Sequence, residues 1–174
     1  MTPRIPPGTR REIGLINWVI AVAAGRVTKT SPPALFLILG RHRRLFRGWL
    51  RFAGRLMPGG LLPRRETELV ILSVAHARDC SYEFEHHARL ARRVGVREDE
   101  VARLTNGSVA GWSPREKLIL EATDQLLASR RLDESTWDDL RKHLGEPEVL
   151  ELILLVGHYD MLATAIGVLR IDPD

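Results

Sequence analysis

The sequence predicts an all-α domain, and three observations carry that prediction. Apolar residues recur at helical spacing. The β-branched residues are scattered on that spacing and show no two-residue alternation. Proline, glycine and capping residues cut the chain into pieces of helix length. With 174 residues, 44% hydrophobic and 28% charged, the chain has the size and composition of one globular domain with its own core.

Each element follows from a local signal. Pro3, Pro6, Pro7 and Gly8 make an extended lead-in, after which a helix is expected over residues 12–24. Ser31 followed by Pro32 and Pro33 reads as a cap and first turn, opening a helix over 34–40, and another is expected over 43–56. Met57-Pro58-Gly59-Gly60 removes backbone donors and permits a tight turn, separating these from a helix over 64–77. Leu69, Leu72, Val74 and Ala75 make that helix apolar all round, which predicts deep burial. Asp79 is the expected cap of a helix over 80–94 that Gly95 closes. Short helices follow over 98–104, 114–129 and 134–144, the second opened by the capping box Ser113-Pro-Arg-Glu116. Pro147 opens a last apolar helix to about 169. Glu68 leads an apolar run ending at His76 and Glu151 leads one ending at His158, a weak echo that the similar composition of two buried helices accounts for equally well.

Charge is unevenly spread. Residues 1–65 carry 13 Lys+Arg against one acid, Glu12, while residues 66–174 carry the other 13 against 21 acids. A basic half can signal nucleic acid or a membrane surface, but these bases lie within helix-patterned apolar sequence without any nucleic-acid-binding signature. Neither partner is therefore expected. The apolar run 13–22 is short, and Asn17 and Trp18 interrupt it, so it predicts a buried helix rather than a signal or a bilayer span. A single cysteine, Cys80, excludes an intrachain disulfide and leaves a reduced, cytoplasmic setting as the expectation.

The chemistry-bearing stretch is 62–96, which holds Glu68, Cys80, Glu83 and His87. Glu83 and His87 stand at i and i+4, where side chains share a helix face and a carboxylate can set a histidine's tautomer and basicity. Cys80 is read mainly as a small buried hydrophobe, with a reactive thiol at a helix start as its alternative. His76, Cys80, Glu83 and His87 would form a metal-ligating stripe only on one unbroken helix, and 78–81 reads as a junction, so no metal is expected. His86 points about 100° away from His87 and reads as structural or solvated. Tyr82, Trp49, Tyr159, His158, Phe46 and Phe84 are candidates for a pocket wall. Arg41, Arg43, Arg44 and Arg47 offer a carboxylate-binding group or a solvated face.

The segment 62–96 resembles the carboxymuconolactone decarboxylase and alkylhydroperoxidase D-like superfamily, with looser similarity over 31–170. Its thiol-dependent members carry Cys-x-x-Cys and then a histidine. Here Glu68 matches the leading glutamate, Cys80 the first cysteine and His87 the histidine, but Glu83 stands in place of the second cysteine and Tyr82 where those members often carry a histidine. Decarboxylase members instead carry a glutamate four residues before the histidine, as Glu83 and His87 do.

The resemblance implies an alkylhydroperoxidase D-like helical fold in one domain, with 1–30 as an N-terminal extension and helix and 31–170 as the family core. It also implies a homo-oligomer and chemistry without a cofactor. The expected function is decarboxylation or related proton transfer on a small organic acid or lactone. His87 would be the acid/base, Glu83 its orienting partner, Glu68 a second base or polariser, and Tyr82, Trp49 and Tyr159 the pocket. A thiol peroxidase using Cys80 and an external thiol is the alternative, and a non-catalytic binding oligomer is a further one.

Overall fold

The computed structural model describes residues 2–28, 31–108 and 110–173, and these form ten helices and no strand. In order they are α1 (Arg10–Ile13), α2 (Leu15–Thr28), α3 (Ala34–Leu39), α4 (Arg43–Leu56), α5 (Arg64–Ala77), α6 (Ser81–Arg93), α7 (Glu98–Thr105), α8 (Pro114–Ser129), α9 (Glu134–His143) and α10 (Glu146–Leu169).

The helix expected over 12–24 is broken at Gly14, whose φ of +83° suits glycine. The break is held from outside. Arg43 donates to the carbonyls of Glu12 (3.0 Å) and Arg11 (2.7 Å), the groups an unbroken helix would have used internally. α1 is closed at its other end by Glu12, which accepts from the backbone N–H of Thr9 at 2.7 Å. Two caps differ from expectation: Pro33, not Ser31, precedes α3, and Cys80, not Asp79, precedes α6. Asp79 takes a left-handed φ of +49°, which turns the chain between α5 and α6. The Ser113–Glu116 capping box forms as expected, with bonds of 2.9 and 3.2 Å, and Gly95 ends α6 at φ +86°.

α5 is the centre of the fold, buried continuously from Glu66 to Ala75, with α6, α8 and α10 packed around it. Val70, Ile71 and Val74 pack into a core with Leu152, Leu155 and Tyr159 of α10, whereas Leu69 and Leu72 face Ala91 and Val96 on the other side. An all-apolar helix needs such two-sided cover. α10 is long and apolar enough to cross a bilayer, but here it serves as a wall of the core, with ten buried residues.

Ion pairs join α5 to its neighbours at its N-terminal end. Arg65 bonds Glu116 (2.7 Å) and Glu100 (2.8 Å), and Arg115 bonds Glu66 (2.9 Å) and Glu148 (2.7 Å). Glu151 of α10 accepts from the backbone N–H groups of Leu61 (2.6 Å) and Leu62 (2.9 Å), fixing the linker before α5. A Cβ at Gly60 would collide with that carboxylate, so the close approach requires glycine.

Candidate active site

α5 and α6 run as a helical hairpin about the Asp79 turn, and their facing side chains build the site. His87, on the buried face of α6, bonds through Nδ1 to Glu68 Oε2 of α5 at 2.7 Å. Glu68 is fully buried, and its other oxygen takes the Arg64 guanidinium at 2.5 Å, one turn back on the same helix. This is a cation–carboxylate–imidazole relay. The carboxylate fixes the ring and holds the proton on Nδ1, leaving Nε2 as the basic nitrogen.

This geometry reverses the expected roles of the two glutamates. Glu83 shares a helix face with His87 but does not bond it, and neither of its carboxyl oxygens has a hydrogen-bond partner among the described residues. Glu68 reaches His87 across the helix pair and carries the charge that Arg64 balances. Burial pushes the Glu83 carboxyl up to about 8, with only the nearby Cys80 thiol opposing, so it keeps its proton at neutral pH. The site therefore pairs an oriented imidazole with a protonated carboxylic acid, the separation of acid and base that proton-transfer chemistry uses.

Glu83 and His87 line a cavity of ≈220 Å³ between α3, α4, α6 and α10. Its wall is aromatic and aliphatic, with Phe36, Trp49, Leu50, Ala53, Met57, Tyr82, Tyr159 and Leu162 contributing. Trp49, Tyr82 and Tyr159 thus stand in the wall, while Glu68 lies behind His87 and outside it. The Tyr159 ring packs edge-on to His87 with centroids 5.2 Å apart, and its hydroxyl meets Met57 Sδ at 3.8 Å. Burial first, and then the charges of Glu68 and Glu83, raise the Tyr159 hydroxyl well above its ordinary value, so it stays a donor.

Other expected residues fall elsewhere. His86, read as structural or solvated, is half-buried and lines the cavity, and burial, with the neighbouring His87, Arg89 and Arg93, lowers it to about 4. Cys80 is outside this wall; burial pushes its thiol up to about 12, the reverse of what a reactive thiolate needs. The Asp79 turn breaks the stripe from His76 to His87, and among the described residues no cluster of three His, Cys, Asp or Glu is placed to hold a metal. Arg41 and Arg43 serve the N-terminal segment, bonding Glu12 and nearby carbonyls, and Arg44 and Arg47 are exposed. Phe46 packs behind Trp49, and Phe84 belongs to the cluster on the far side of α5. Arg64 is the functional candidate not foreseen, although its i,i+4 spacing to Glu68 was a usable signal.

Residues 43–125, from α4 into α8, match the carboxymuconolactone decarboxylase family. That match takes in just under half of the chain. Over 110 residues it is 24% identical to the uncharacterized protein YdfG of Bacillus subtilis (strain 168), a match spanning 60% of this chain and 75% of YdfG. The fold is shared with the alkylhydroperoxidase AhpD core of a peroxidase-related protein from Ralstonia eutropha JMP134, at TM-score 0.88 and 16% identity, covering 100% of this chain and 93% of that one. A peroxidase-related protein from Silicibacter sp. TM1040 superimposes at TM-score 0.83 and 16% identity, covering 100% and 95%. The debrominase Bmp8, in complex with 2,3,4-tribromopyrrole, does so at 0.81 and 14%, covering 100% and 93%. At these identities the structures establish the alkylhydroperoxidase D-like fold.

Proposed function

We propose that this chain is an acid/base enzyme of the kind its family match suggests, moving a proton between carbon atoms of a small neutral molecule of the lactone class. One observation carries the reading: a histidine whose Nδ1 is held by a buried carboxylate and a carboxyl that retains its proton face one cavity. His87 Nε2 takes a proton from carbon as enolate character develops, and Glu83 delivers one to carbon as that charge collapses. Glu68 and Arg64 act through His87 as positioning residues. The neutral end of the expected substrate range is favoured because the cavity lining, among the described residues, holds no lysine or arginine to meet a carboxylate. The thiol peroxidase alternative loses support because Cys80 sits outside the cavity wall with its thiol pushed up to about 12.

The proposed working form is a homo-oligomer. Leu150, Leu154, Met161 and Val168 supply an exposed apolar stripe along α10 that a second copy would cover.

The test is isomerisation of a β,γ-unsaturated butenolide in D₂O, in which the base removes the α proton and the acid delivers deuterium at the γ carbon. The wild-type protein should accelerate it, with the rate falling above pH about 8 as Glu83 loses its proton. Glu83→Gln and His87→Asn should each lower turnover by about 10² to 10⁴. The double variant should be little worse than the poorer single one. Turnover at wild-type level in both single variants would remove the site from the mechanism.

A further inference from the structure

The wall of the cavity formed by α4 and α10 holds two more unanswered polar groups. The indole Nε1–H of Trp49 and the Nδ1 of His158 are buried and have no hydrogen-bond partner among the described residues. The rings are nearly parallel, 17° apart in plane with centroids separated by 6.0 Å, and both residues line the cavity that holds Glu83 and His87. His158 is 4% exposed, and burial lowers it to about 4, so its imidazole is uncharged. An indole nitrogen only donates, whereas a neutral imidazole nitrogen donates or accepts. A buried donor left without a partner is costly, and such groups in native folds mark places where something else supplies the bond.

A line of ring contacts ties this pair to the acid/base centre. His158 packs edge-on to Tyr159 at 5.2 Å, and Tyr159 packs edge-on to His87 at the same separation. A molecule filling the space therefore meets Trp49 and His158 on one side and His87 with Glu83 on another. Flat aromatic walls favour a planar body over a branched one. The cavity volume suits a molecule of one ring.

We propose that Trp49 and His158 form the recognition end of the cavity, binding the oxygen of a neutral, planar, ring-sized substrate through the indole N–H and the imidazole Nδ1. The assignment rests on the acid/base reading for what happens next to the substrate, but the binding itself does not require it. A carbonyl oxygen accepts from Trp49. A hydroxyl oxygen accepts from Trp49 while its own proton goes to His158.

Acetophenone is the probe, a planar ring with one carbonyl acceptor; ethylbenzene has a similar shape without the acceptor, and benzoate is a charged counterpart. With ¹⁵N-labelled wild-type protein, acetophenone should shift the Trp49 indole N–H resonance downfield, and ethylbenzene should not. Trp49→Phe should weaken acetophenone by about 5- to 30-fold, the loss of one buried hydrogen bond, and leave ethylbenzene nearly unchanged. The readouts are binding and a resonance shift rather than turnover, so failure of the acid/base chemistry would leave this result standing. Benzoate should bind more weakly than acetophenone. The subsite is wrong if acetophenone fails to bind, if its binding leaves the Trp49 resonance in place, or if Trp49→Phe weakens ethylbenzene as much as acetophenone. Tighter binding of benzoate would overturn the neutral-substrate assignment. The resonance shift is read on the wild-type protein, so it decides even where a variant does not fold.

Discussion

The ion network at the N-terminal end of α5 and the cavity beneath α6 both hold polar groups away from solvent and treat them in opposite ways. In the network, Arg65, Glu66, Glu100, Arg115, Glu116 and Glu148 each meet an opposite charge within 2.9 Å. Arg65 and Arg115 also reach backbone carbonyls, those of Gly95 and His143. In the cavity, the Glu83 carboxyl oxygens, the Trp49 indole nitrogen and the His158 Nδ1 are buried without hydrogen-bond partners among the described residues. Pairing removes the cost of burial, so the network can serve as scaffold and need do nothing more. The cavity groups keep that cost, and a free energy retained there is available to a bound molecule. Glu68 belongs to both regimes, since Arg64 pairs it on one side and it orients His87 on the other.

The largest expected effect comes from cutting that bridge. Glu68→Gln keeps the size of the side chain but removes the charge and offers His87 an amide that can donate as well as accept. The imidazole then has no fixed tautomer, and turnover should fall by about 10² to 10⁴, by the logic that makes the carboxylate of a catalytic triad essential. The readout is kcat in the butenolide assay, and a change confined to KM would mean that Glu68 is scaffold only.

Much of this was legible in the sequence. Segment boundaries followed from Pro, Gly and capping residues, and Ser113-x-x-Glu116 formed the box its spacing predicts. Glu68, Glu83 and His87 were visible as a group. What spacing could not decide was which carboxylate His87 would choose. The i,i+4 rule allows Glu83, but it is blind to the distance between α5 and α6, which depends on packing. The helix break at Gly14 was hidden for the same reason, because it is held by Arg43 from another helix. Trp49 and His158 were separately visible as pocket candidates. Their shared lack of partners is a property of the folded wall.

A smaller effect contrasts the two regions through stability. Arg115→Leu strands Glu66 and Glu148 near the surface of the network, and should lower unfolding stability by about 2 kcal/mol, since the guanidinium is partly exposed and solvent screens the rest. Butenolide turnover of the folded fraction should be unchanged. Glu83 should act with the opposite sign. Its unfolded form loses a proton near pH 4.5, and its folded form near pH 8, so the folded state binds more protons in between and stability falls as pH rises through that window. Glu83→Gln removes this slope. Urea midpoints across pH 4 to 9 should therefore show wild type losing ground to Glu83→Gln up to about pH 8 and holding level beyond it. Parallel curves would mean that Glu83 is ionised in the folded protein, and the acid role would go with its proton.

The smallest expected effect is at Cys80. Its thiol is buried at the start of α6, beside the cavity but outside its wall, and is held protonated by burial. A helix N-terminus ordinarily favours a thiolate, yet here desolvation outweighs the backbone N–H of Glu83 that would stabilise one. No second cysteine exists in the chain to resolve an oxidised sulfur. Cys80→Ser should keep turnover within about tenfold of wild type, because the thiol takes no part in moving the proton. Its one trace should be electrostatic. A hydroxyl is a better donor than a thiol and would stabilise the Glu83 carboxylate, moving the high-pH limb of the rate profile to lower pH. Loss of turnover with an intact fold would return the sulfur to the mechanism, and peroxide consumption with an added thiol would then be the activity to measure.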